Sequence, residues 1–158
     1  MMTNTYVSLA TITLTSTDSE IVFSSIPATY QDLIVVVNGQ TTAGVALFMR
    51  LNNDSTSANY PRVGMAAFGS SAVSFATNEP GVQAAFQPSR NSWILHVMDY
   101  SATDKQKTIL SRLSQATDEV NAIATRWTNT AAVNEVRFVT ASSTFAIGTQ
   151  FSLYGVAA

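Results

Sequence analysis

The chain has one histidine, His96, in the run Trp93-Ile94-Leu95-His96-Val97. An imidazole titrates near neutrality and can serve as a general base, given a nucleophile and a carboxylate to orient it. The sequence has no Gly-x-Ser-x-Gly elbow and no cysteine. His96 is therefore expected to be a strand residue, bonded to a neighbour or facing an interface. Asp99 and Asp104 bracket a short turn, where aspartate is favoured through bonds to its own backbone. One histidine without thiolates makes a poor zinc site. Asn52, Asn53, Asp54 and Asn59 carry oxygens of the kind that hard cations take. They lack the Asp-x-Asx-x-Asx-Gly spacing and a closing glutamate, and read as a polar loop. The seven glycines are dispersed, so no phosphate cradle is expected. Aromatic rings remain. Trp93, flanked by strand residues, belongs in the core. Tyr60 and Tyr100, at strand ends, and Trp127 are the candidates for surface contacts, able to stack on sugar rings if they share a groove. These residues predict no catalytic site, metal or cofactor.

The elements that position these side chains are strands. Residues 6–14 alternate, with Ile12 and Leu14 on one face and Thr11 and Thr13 on the other. Residues 20–23 form a short strand that ends ahead of Pro27. Residues 32–38 contain Leu33-Ile34-Val35-Val36-Val37, the run of a strand covered on both faces. Asn38-Gly39 is the strongest turn signal in the chain. Residues 45–51 alternate again. Further strands are expected at 93–98, 107–114, 122–128, 134–140 and 144–154. Residues 64–88, rich in Ala, Ser and Gly, predict one or two weak strands and a long loop. Thr117-Asp118-Glu119 has the makings of a single capped helical turn. About eight to ten strands without helical crossovers imply an all-β, antiparallel sandwich or closed barrel over residues 1–158 as one domain. A two-sheet jelly roll is the expected arrangement, and an immunoglobulin-like sandwich is the next.

The composition narrows the class of partner. The chain has 158 residues, of which only 11% are charged, with a formal net charge of −2. Clustered Lys and Arg, which phosphate binding requires, are absent, so no nucleic-acid partner is expected. Strand faces rich in Ser and Thr suit surfaces that a protein partner will cover, because a hydroxyl is far easier to desolvate than a lysine. No apolar run approaches the length of a membrane span, and the first residues lack the pattern of a signal peptide. Neither a membrane association nor ordinary export is expected.

Four short segments carry a resemblance. They are Phe23-x-x-Ile26-Pro27-x-x-Tyr30-x-x-Leu33; Met49-Arg50-Leu51-Asn52-Asn53-Asp54 followed by Asn59-Tyr60; Met98-Asp99-Tyr100 followed by Lys107-Thr108; and Phe151-Ser152-Leu153-Tyr154-Gly155. In this order they resemble the small β-sandwich structural proteins of tailed-phage virions. Residues 64–88 match nothing in that pattern. The resemblance implies a jelly-roll-like sandwich, commonly a homotrimer, found in the virion after assembly in the host cytoplasm. It implies a capsid decoration (cement) protein bound to the major capsid protein, or a tail-fibre or baseplate module. In the second case Tyr60, Tyr100 or Trp127 would hold host polysaccharide. Residues 1–6 and 64–88, which lack regular pattern, are expected to contact the shell.

Overall fold

A computed structural model describes residues 5–117 and 119–157. Among them are twelve strands: β1 (Tyr6–Thr13), β2 (Glu20–Phe23), β3 (Asp32–Gly39), β4 (Val45–Leu51), β5 (Pro61–Phe68), β6 (Ser71–Asn78), β7 (Val82–Phe86), β8 (Asn91–Val97), β9 (Lys107–Gln115), β10 (Glu119–Trp127), β11 (Val136–Thr140) and β12 (Gln150–Val156). One 3-10 turn spans Ser57–Asn59. Proline confirms the boundaries by what it cannot do. Lacking an N–H, it sits in loops at Pro27, Pro80 and Pro88, or at the first position of β5 as Pro61.

All pairing is antiparallel, in two sheets. One runs β1-β12-β3-β8-β9-β10-β5-β6 and the other β2-β11-β4-β7. Set aside β5, β6, β9 and β10, and the remaining eight strands nest: β1 lies beside β12, β2 beside β11, β3 beside β8, and β4 beside β7. That is the winding of a jelly roll. The two hairpins β5–β6 and β9–β10 are insertions that widen one sheet only.

Residues directly opposite in an antiparallel pair share a face, so the register sorts every side chain. Leu33, Val35 and Val37 oppose Val97, Leu95 and Trp93, and all six are fully buried between the sheets. Trp93 meets Phe86 and Phe138 edge-on, with ring centroids 6.2 and 6.0 Å apart. Phe138, Phe151 and Phe145 continue the stack at 5.2 and 4.9 Å. Truncating a ring such as Trp93 to alanine would cost about 3–5 kcal/mol, because a filled interior relaxes only in part.

Several local expectations are overturned. Residues 64–88 lie within three strands and their turns, not a long loop: β5 begins at Pro61, and β6 and β7 follow. The β5–β6 hairpin closes through Gly69-Ser70, with Gly69 at φ 57°, in the first loop position that a type II′ turn reserves for glycine. Asn38-Gly39 makes no turn; β3 runs through both. A Cβ at Gly39 would lie 2.4 Å from Oγ1 of Thr149, so the glycine makes room for a neighbouring side chain. Glu119 opens β10 rather than a helical turn, and Asp118 lies outside the described residues. The last strand begins at Gln150. Upstream of it, Phe145 makes only single bridges to Asp18 and Thr41.

Edges of sheets invite pairing, and three of the four here are managed. β1 carries a bulge between Ser8 and Ala10. β2 is four residues long and ends its pairing at Glu20, which Arg137 engages from β11. One carbonyl on the free edge of β7 is taken by a side chain: Gln115 Nε2 donates to Ala85 at 2.8 Å, and Arg62 reaches the Gln83 side chain. β6, eight residues without charge or proline, has no such device.

Candidate interaction surface

The outer face of the eight-stranded sheet is where this chain departs from an ordinary sandwich. In each strand the residues that alternate with the core point outward, and here many are apolar. Tyr6, Ile34, Ile94, Leu110, Val63 and Met65 line a shallow trough of about 810 Å³ across the sheet. Its floor is low because Ala122 and Ala124 of β10 are small. Met65 is 68% exposed, Tyr6 62%, Val63 58% and Leu110 44%. An antiparallel sheet with one wet face normally makes that face polar. A contiguous apolar patch in water is uncommon on a monomeric protein and is a candidate interaction surface.

Charge enters the trough at two places. Arg112, exposed on β9, has no ion-pair partner among the described residues. At the other end His96 Nε2 lies 2.8 Å from Asp32 Oδ2. Asp32 accepts the backbone N–H of Asp99 on its other oxygen, also at 2.8 Å. Asp99, at φ 50°, pairs in turn with Lys105 at 2.9 Å. The imidazole is thus tied to a neighbouring strand and to the turn that follows β8. Sequence spacing could not reveal this carboxylate, because Asp32 and His96 are 64 positions apart.

The three aromatics expected at the surface are elsewhere. Tyr60 and Tyr100 are fully buried and Trp127 is 1% exposed, so stacking on a sugar is closed to all three. Their polar atoms bind the chain itself. Tyr60 OH accepts the Leu51 N–H at 3.0 Å, and burial pushes its ionisation far up. Tyr100 OH donates to the Pro27 carbonyl and accepts the Tyr30 N–H at 3.4 Å. Trp127 Nε1 donates to Asp54 Oδ2 at 2.8 Å. Strand-end tyrosines are amphipathic, and here the loops fold over the ring while the hydroxyl fastens a backbone group.

The polar loop at 52–59 is part of the same scaffold. Asp54 Oδ2 also accepts from Asn59 Nδ2 at 2.8 Å, and Oδ1 from the Thr56 N–H at 2.9 Å. Burial opposes ionisation of this carboxyl, but the bonds from Trp127, Thr56 and Asn59 outweigh it and hold the group below its ordinary value. Asn52, at φ 51°, donates to the Ala132 carbonyl and accepts the N–H groups of Asn134 and Glu135. Lys107, fully buried, donates to the carbonyls of Ala102, Lys105 and Thr130 at 2.7, 2.9 and 3.2 Å. Three protons meet three acceptors, which is how a buried ammonium is tolerated.

A second concavity, of about 730 Å³, lies at the opposite end of the sheet. Asn38, Gln40, Arg90, Ser114, Gln115 and Gln150 give it a polar lining. Of the segments expected to contact a shell, Met1 to Asn4 lie outside the described residues, while Tyr6 lines the trough. Met65 falls within the expected segment 64–88, whereas Val63 and Leu110 are the residues the sequence reading missed. Their signal was alternation in β5 and β9, masked in β5 by the small residues between.

No protein-family model matches the sequence, and no curated protein matches it.

Proposed function

We propose that this chain is a structural protein of a tailed-phage particle: a capsid decoration (cement) protein, trimeric, that seats between major capsid subunits. The observation that carries the reading is the exposed, nearly uncharged outer face around Val63, Met65 and Leu110. A surface of this kind works by being covered. A contact of standard size buries about 1,600 Å², and burial of its apolar part can drive association without chemistry. Repetition over a shell then multiplies each contact. The jelly-roll winding agrees with the resemblance, and so does the place of its four segments. Their Tyr30, Asp54, Tyr100, Lys107 and Gly155 hold the loops and the last strand in position.

Tail-fibre or baseplate recognition of polysaccharide is the second reading. Its aromatic contacts are gone, yet the amide-lined groove beside Arg90 offers hydrogen bonds suited to sugar hydroxyls.

Quantitative mass spectrometry of purified particles separates the readings. Hundreds of copies per particle are expected for decoration. A few to a few dozen copies would move the protein to the tail, and absence from particles would overturn both.

A further inference from the structure

We propose that β6 is a self-pairing edge, through which two copies of this chain join their eight-stranded sheets into one across a two-fold axis. The contrast with the other edges motivates this: β1 is bulged, β2 is short and charged, β7 has one carbonyl taken, and β6 is open. β6 pairs with β5 on one side and with no strand among the described residues on the other. Its ladder with β5 is continuous from Ser71 to Asn78, without a bulge. Of the eight large exposed hydrophobics among the described residues, four, Val63, Met65, Phe68 and Val73, lie on this one hairpin. They occupy both of its faces, since Phe68 and Val73 fall on the opposite side from Val63 and Met65.

The occupant follows from the sequence of β6, Ser-Ala-Val-Ser-Phe-Ala-Thr-Asn. An axis normal to the sheet at Ser74 keeps each face on its own side. It places Val73 opposite Phe75 of the other copy, Ala72 opposite Ala76, Ser71 opposite Thr77, and Ser74 opposite itself. Small meets small and hydroxyl meets hydroxyl, no like charges are opposed, and Val73 meets the base of Phe75, whose ring lies back over Gly64 with Arg62 beside it. These are the cross-strand pairs that stabilise an antiparallel ladder. The contact is isologous and closes at two. It does not depend on the virion reading, and beside a trimer it would join a subunit of one trimer to a subunit of another.

The absence of cysteine makes the test clean. Under mild oxidation the variant Ser74→Cys is expected to form a disulfide-linked dimer, because residues directly opposite lie within bonding reach. Ala72→Cys, also exposed, is expected to stay uncrosslinked, since in this register its own counterpart lies about 13 Å away. Adding Val73→Lys to Ser74→Cys should lower the cross-linked yield about tenfold or more, a lysine replacing an apolar pair. A Ser74→Cys protein that remains uncrosslinked overturns the proposal, as does equal cross-linking of Ala72→Cys. A wild-type trimer without the Ser74 cross-link would sink this inference and leave the virion reading standing.

Discussion

The ring of Tyr30 occupies the space that a side chain at residue 155 would need. A Cβ built on Gly155 would stand 2.4 Å from Cγ of Tyr30 and under 3 Å from both Cδ atoms. The loop before β3 is thereby pressed onto β12, and the Gln31 N–H bonds the Val156 carbonyl at 2.9 Å just beyond. Gly155→Ala should destabilise the fold by about 1–3 kcal/mol in urea denaturation, the usual cost of overpacking. Tyr30→Ala in the same chain should remove part of that loss, so the two changes will not add. Strict additivity would show that the contact does not matter.

Lys107→Met keeps the length of the side chain and removes its three donors. Carbonyls of Ala102, Lys105 and Thr130 would be left without that partner in a buried place. A loss of about 3 kcal/mol is expected in thermal or chemical melts. Burial lowers the proton affinity of this ammonium, with Asp104 and Asp99 offsetting part of the effect. Its folded value lies below the ordinary 10.5, so the folded state sheds this proton first. The residue's contribution to stability should therefore rise with pH between the two values, and the methionine variant should lack that rise.

Asp54→Ala strips the acceptor from Trp127 Nε1, Asn59 and the Thr56 amide. A loss of about 2 kcal/mol is expected at neutral pH. The carboxyl is held below 3.8 in the folded chain, so its contribution is complete above that value and fades as pH falls through the folded one. Melts of wild type and variant should therefore converge in acid. A gap that stays constant with pH would contradict the assignment.

Met65→Lys and Val63→Lys alter exposed positions and should leave stability within about 0.5 kcal/mol of wild type. If the trough seats on a capsid, each should reduce particle occupancy about tenfold in a competition assay, because a lysine must be desolvated there. Undiminished occupancy would move the contact to another face.

The sandwich was legible because period-two alternation at 45–51 and 107–114 needs no partner to be seen. Jelly-roll nesting was an expectation from class and resemblance, and only the pairing of β1 with β12 and of β2 with β11 establishes it. Residues 64–88 misled because Ala66, Ala67, Ala72 and Ala76 blur the contrast between faces, although Gly69-Ser70 is itself a hairpin signal. Tyr60, Tyr100 and Trp127 misled for another reason. Their position at strand ends is a local property, whereas their burial depends on loops closing from 27–30 and 52–59. The His96–Asp32 pair is likewise a product of register between β3 and β8.

β12 lies between β1 and β3. Of these strands it is the latest to leave the ribosome, and until it arrives both neighbours wait with an unsatisfied side. Six strands of the wide sheet, β3-β8-β9-β10-β5-β6, pair among themselves, whereas β1 can join only through β12, a contact between the two ends of the described chain. Losing the seven residues from Gln150 to Val156 would therefore release the opening strand as well as the closing one, and would strand the newborn chain with two sticky margins in place of one finished sheet.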